Sequence, residues 1–330
     1  MAAVVFQQAC IMLILIAIGA GCFKLKMLSQ EAVSQISGLV LKVVNPIVIL
    51  MSFQREFNTE LVHDLGWTFL LAGVSYVIAF AVSYLCIRKK EGREAVIERF
   101  STIYSNCGFM GIPLVQAMFG YEGVFFLTAF IATFNAFVWS HGVMQMSGQK
   151  SLRSLLKVLR SPAIIAIVVG LVMFFCRITL PSLDDPMPAD ASAFRCILHM
   201  IGGLLSSAFE MVGSLNSPLA MFVAGATIIQ TDIPKVLRKP RIFYVCFLRL
   251  IAVPVITVLV FLLFPAEKIV EMTVVAAASA PCAAICTMMS LSYKRNAAYA
   301  SEIFGVSTLL SIATMPLMMV LYERIDILMG

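Results

Sequence analysis

Ionisable residues alternate with long apolar runs along this chain, and that alternation leaves few folds open. Ten apolar runs, at roughly 4–23, 33–53, 67–87, 100–119, 123–144, 162–180, 201–229, 242–264, 269–292 and 299–321, are separated by short connections that hold most of the charge. A helix needs about 20 apolar residues to cross the hydrocarbon of a bilayer. Only 13% of the 330 residues are charged and 61% are hydrophobic, against about 25% charged in a soluble domain, so there is too little polar surface to wrap these runs in water. In hydrocarbon every backbone N–H and C=O must be paired, and a helix does this within one segment. The expected fold class is an all-α polytopic membrane protein with ten transmembrane helices.

The basic residues orient the runs. Seventeen of the 24 Lys and Arg fall in the connections around Lys24 and Lys26, Arg88 to Arg99, Lys150 to Arg160, Lys235 to Arg241, and Lys294 and Arg295. The alternate connections and the tails hold five: Arg55, Arg177, Arg195, Lys268 and Arg324. By the positive-inside rule the first set is cytoplasmic and both termini are outside. The expected location is the plasma (inner) membrane. No Lys or Arg precedes the run from Val4 to Phe23, which is too long for a signal-peptide core and reads as a retained first span.

The net charge of +6 is dispersed rather than patched, which argues against a nucleic-acid partner; the nine Cys show no metal-binding spacing and read as small buried hydrophobes. No cofactor is expected. Neither GxSxG, HExxH nor a Walker loop is present, so an enzyme and an ATP-driven pump are both disfavoured.

Marks recur at an offset of 168–172 residues. Asn45 and Pro46 in VVNPIVIL match Asn216 and Pro218 in SLNSPLAMF; Pro113 in SNCGFMGIPL matches Pro281 in AAASAPCAAICTMM. The longest polar break, from Arg177 to Arg195 with PSLDDPMPAD, lies near the middle. Five spans per half is odd, so the halves 1–161 and 162–330 enter the membrane in opposite senses, an inverted repeat typical of secondary transporters. Coincidence of Pro in matching spans is the plainer alternative.

Spans four and nine are expected to be broken. Ser105, Asn106, Gly108 and Gly111 surround Pro113; Ala276 to Ala280, Ala283 and Ala284 surround Pro281. Proline lacks the amide donor and clashes with the carbonyl four residues back, and freed groups at membrane depth survive only against protein or a wet cavity. The N-terminal ends of such half-helices hold anions without a fixed charge. Simple kinks in packed helices are the alternative.

SNCGFMGIPL and SPLAMFVAGATI resemble the fourth- and seventh-span signatures of the auxin efflux carrier family, and the resemblance covers essentially the whole chain. It implies the fold group of bile-acid symporters and sodium/proton antiporters: a scaffold of spans 1, 2, 6 and 7, a moving core of spans 3–5 and 8–10, and crossing of the broken spans 4 and 9 around the substrate. It also implies organic-anion transport, export favoured, with Asn106 at the family's substrate-binding asparagine. A homodimer through the scaffold helices is expected. Unlike the plant carriers, the chain has a short connection from Gln145 to Ser161, and its third span, FLLAGVSYVIAFAVSYLC, lacks a carboxylate or lysine.

The candidate substrate contacts are Ser105, Asn106, Gly108 and Pro113 in span four, Ala280, Pro281 and Cys282 in span nine, and Lys42 and Asn45 in span two. Pro46, Asn216, Pro218, Glu210 and Arg249 are supporting candidates. The Asn106 amide donates to a carboxylate without a charge to desolvate, or else caps freed backbone. Lys42 lies about 14 Å along its helix and either lines an anion pathway or pairs with Glu210. Arg249 and Glu302 are expected to snorkel to the cytoplasmic interface, and His141 is a lone titratable group at the end of span five.

These readings converge on an elevator-type secondary carrier for small organic anions, with carboxylates the expected substrates. A ligand-binding membrane sensor and an anion channel are the rivals. For a monovalent anion an inside-negative potential alone supplies about 2.3 kcal/mol per 100 mV outward, enough for uncoupled export.

Overall fold

The computed structural model describes residues 2–88, 94–148, 160–183, 193–230, 236 and 238–329, and among them the regular structure is helical. Among the described residues seven helical stretches are long and apolar enough to cross a membrane: Phe6–Lys24, Gln30–Ser52, Thr59–Cys86, Cys107–Ser147, Arg195–Ile229, Pro240–Phe261 and Ala297–Asp326. Pro162–Phe175 is a shorter apolar helix. Most of the Pro/Asp loop and the connection residues Lys89, Lys90, Arg93, Lys150, Arg153, Lys157 and Lys235 lie outside the described residues.

Helix starts follow from local chemistry. The Ser29 hydroxyl accepts from the Ala32 amide, and the Asn58 side chain accepts from the Glu60 amide, each meeting a donor that has no partner in a first turn. The stretch Cys107–Ser147 is not one rod. Gly120 stands at φ 61°, ψ −150°, a conformation open to glycine, and the chain turns there. The seventh apolar run starts earlier than its hydropathy suggests, in a helix spanning Ala193–Ser214 that is interrupted at Leu215 and resumes as Asn216–Ile229. Pro218 accounts for the interruption, because it offers no amide to the Ser214 carbonyl.

Three further prolines widen a turn rather than break it. Ahead of Pro46, Pro113 and Pro254 the amides of Asn45, Ile112 and Val253 bond five residues back, to the carbonyls of Val40, Cys107 and Leu248. The wide turn absorbs the clash between a proline ring and the carbonyl four residues earlier. Lys42 and Arg249 both sit in such turns.

Ala2–Lys24 packs along Asn216–Ile229 at backbone contact. A Cβ on Gly225 would lie 2.0 Å from the Ile16 carbonyl oxygen, and one on Gly19 would lie 2.4 Å from the Phe222 carbonyl oxygen. Small residues at such positions are how helices associate without a hydrophobic driving force. Outward faces are apolar: Ile165, Val168 and Val172 on one helix, Leu204 and Leu205 on another, Ile256 and Leu259 on a third are all exposed. Exposed apolar surface of this extent belongs against lipid or another protein. The largest buried cluster fills the space between the 95–137, 268–289 and 297–322 segments, and it is here that two helices are interrupted.

Candidate functional site

The helix Ala95–Ile103 stops and a new helical turn starts at Cys107; the helix Lys268–Ser279 stops and Ile285–Ser292 follows. Pro281 lies within the second interruption. It pushes the preceding residue out of helical geometry, and Ala280 is extended, at φ −61°, ψ 151°. Pro113 does not lie within the first, which falls at Tyr104–Asn106; its own disturbance is taken up by the wide turn Cys107–Gly111.

The two interruptions satisfy each other. The Asn106 amide donates to the Pro281 carbonyl at 2.8 Å and the Ala283 amide to the Tyr104 carbonyl at 2.9 Å, pairing Ser105 with Cys282 as a two-residue antiparallel bridge. The Cys282 amide donates to Ser307 Oγ at 3.2 Å. Asn45 Nδ2 donates to the Gly108 carbonyl at 2.8 Å, which ties the second apolar segment to the first interruption.

Beside this junction is a cavity of about 460 Å³. Lys42, Asn45, Ser105, Asn106, Cys107 and Gly108 line one side, and Ala283, Ala284 and Ile285 another; Phe134, Asn135 and Trp139 contribute from a neighbouring helix. Three buried polar atoms of the lining have no protein partner: Asn45 Oδ1, Ser105 Oγ and Asn106 Nδ2. The described lining contains one cation, Lys42, and no Asp or Glu. The helical turns beginning at Cys107 and Ile285 bring the positive ends of their dipoles to the lining, the Cys286 and Thr287 amides being paired with the carbonyls of Ala283 and Ala284. Such a set favours a small anion.

The remaining candidates divide. Pro113, Ala280, Pro281 and Cys282 are buried behind the cavity and do not line it. Asn216 is fully buried away from it with both amide atoms unpartnered; Pro46 and Pro218 are half-buried supports. Among the described residues no ion pair joins Lys42 to Glu210, and both are exposed, Lys42 towards the cavity. That pairing is corrected: the two side chains do not meet. Arg249 does not snorkel either. It is 2% exposed and bonds to the carbonyls of Thr102, Ile103, Ala278 and Ala280, because the unpaired C-terminal carbonyls of two interrupted helices offer a nearer counter-charge than the interface. Glu302 pairs with Lys239 at 2.6 Å, and His141 bridges the hydroxyls of Tyr84 and Tyr104 at 2.9 Å each.

Sequence reasoning missed Asn135, Trp139 and the role of Arg249. A signal for the last existed in Pro254, which follows Arg249 by five residues much as Pro46 follows Lys42 by four.

No curated protein matches the chain. A family model described as a membrane transport protein matches residues 4–319, nearly the whole length, and the chain therefore belongs to that family of transporters, the auxin efflux carriers, rather than to any class of enzyme.

Proposed function

We propose that the chain is an elevator-type secondary carrier for small organic anions, carboxylates foremost, built as ten transmembrane helices in two inverted five-helix repeats, 1–161 and 162–330. Ten crossings are reached if the stretch turning at Gly120 counts as two, Pro162–Phe175 as one, and Lys268–Ser279 with Ile285–Ser292 as one broken span. The two interruptions that bridge to each other, at Tyr104–Asn106 and at Ala280–Ala284, fall one in each half and support the repeat.

The observation that carries the substrate reading is the cavity itself: three unpartnered buried polar atoms, one ammonium and two helix N-terminal ends converge, with no lining carboxylate. Buried polar groups left without partners are costly in a resting protein, and a carboxylate with two acceptor oxygens would satisfy the donors among them. Lys42 and Asn45 come from the proposed scaffold, Ser105 and Asn106 from the proposed core, so the ligand sits at the seam between them. The cavity extends to Ser161 and Tyr293, next to connections rich in Lys and Arg, which fits a cytoplasm-facing state. Both termini then face outward, export is the favoured direction, and a homodimer forms through scaffold helices.

Counterflow in proteoliposomes with labelled carboxylates tests this. Exchange driven by unlabelled substrate on the opposite side is expected. Saturable binding without exchange would instead indicate a sensor, and non-saturating flux a channel.

A further inference from the structure

Two cations lie deep within the apolar runs, Lys42 and Arg249, and the cavity lining accounts for Lys42 alone. Arg249, in the wide turn Leu248–Ala252, points into the opposite side of the junction. Its Nε donates to the Ala280 carbonyl at 3.1 Å, its Nη1 to Thr102 and Ile103 at 3.0 and 3.3 Å, and its Nη2 to Ala278. Thr102 and Ile103 end one interrupted helix, and Ala278 lies in the last turn of the other. Among the described residues no carboxylate lies within ion-pair distance of the guanidinium; the pairs formed elsewhere join Glu98 to Arg241 and Glu302 to Lys239.

The charges at the junction can be summed. Each helix end carries about half a unit, negative at a C-terminus and positive at an N-terminus. The C-terminal ends at Ile103 and Ser279 together offset the guanidinium. On the core side the N-terminal ends at Cys107 and Ile285 face a described lining without Asp or Glu and leave about one net positive charge on the moving core, separate from the Lys42 ammonium on the scaffold side.

Building on the carrier reading above, we propose that Arg249 is the positioning residue that sets this excess, making the junction a site for one net negative charge. The guanidinium travels with the core. A core loaded with a monoanion crosses neutral, and an empty core crosses with one positive charge. Exchange is then insensitive to membrane potential, whereas net export speeds up when the inside is negative, because the potential draws the empty core back inward.

The test uses the full-length protein in proteoliposomes with labelled lactate and indole-3-acetate as monoanions and malonate as a dianion, at neutral pH, under potassium–valinomycin potentials. For wild type, monoanion exchange should change less than twofold with potential, while net efflux changes severalfold. Arg249→Gln should raise KM about tenfold or more by removing the excess charge, and make exchange voltage-dependent. Arg249→Lys, which keeps the charge, should stay nearer wild type in both respects. Voltage-sensitive monoanion exchange in wild type overturns the proposal and needs no variant. So does exchange of malonate with neither monoanion, or a folded Arg249→Gln protein with wild-type KM and voltage response. If wild type exchanges none of the three probes, the carrier reading for carboxylates itself fails, a different outcome from any of these.

Discussion

Replacing Asn106 by Ala should move two quantities in opposite directions. Asn106 is 7% exposed, and its Nδ2 has no protein partner. Its backbone amide, not its side chain, makes the 2.8 Å bond to the Pro281 carbonyl, and that bond survives truncation. The empty protein therefore loses no hydrogen bond of the Nδ2 group. It sheds a buried donor whose desolvation costs about 1–3 kcal/mol, partly offset by the small cavity left behind. Thermal stability of the empty protein should stay level or rise. In the loaded protein the same group donates to a carboxylate, and a hydrogen bond to a charged partner contributes about 1.5–3 kcal/mol. Affinity should fall roughly ten- to a hundredfold. Scintillation-proximity binding on purified protein, beside a thermal melt without ligand, measures both. Unchanged affinity would refute the assignment of Asn106 to the substrate, and a large drop in the empty protein's melting temperature would show the side chain to be structural.

Lys42→Met should leave the fold stable and weaken anion binding, and its effect on stability should add to that of Glu210→Gln within about 0.5 kcal/mol, as expected for groups that do not touch; a larger coupling in thermal melts would contradict the geometry. Gly225→Ala should cost about 1–3 kcal/mol, seen as a lower melting temperature, because the new Cβ meets the Ile16 carbonyl oxygen at 2.0 Å and backbone cannot rotate away. A single Cys at residue 92, on a Cys-free background, should resist impermeant maleimide in intact cells and react after permeabilisation; labelling from outside would invert the proposed topology.

What could be read from the chain depended on whether a cause is local. Pro281 disturbs its own neighbourhood, so its interruption is visible in one dimension. Pro113 carries the same chemistry, yet the break beside it falls at Tyr104–Asn106, where the bridge to Cys282 replaces helical hydrogen bonding. That partner is far away in sequence. The same distance explains Arg249. Its depth in an apolar run was plain, but its acceptors are main-chain carbonyls, which every residue has and no composition reveals. Lys42 and Glu210 show the converse: opposite charges in apolar runs suggested a pair as one alternative, yet among the described residues no ion pair joins them and both are exposed. Asn106, Ser105 and Asn45 were legible because a polar side chain at membrane depth needs a reason to be there.

The close seating of Ala2–Lys24 on Asn216–Ile229 also has a consequence in time. The first helix carries no charge before Lys24, yet the groove that receives it is made by glycine-bearing turns translated about 200 residues later. At about 5–20 residues per second, that is a wait of about 10–40 s before its closest-packed partner exists. A helix that waits must be stable alone in the bilayer, which its uninterrupted apolar length allows. Its final seat, with Gly19 and Gly225 admitting backbone on backbone, is then filled late. Assembly of this transporter is thus expected to end, rather than begin, with its N-terminus.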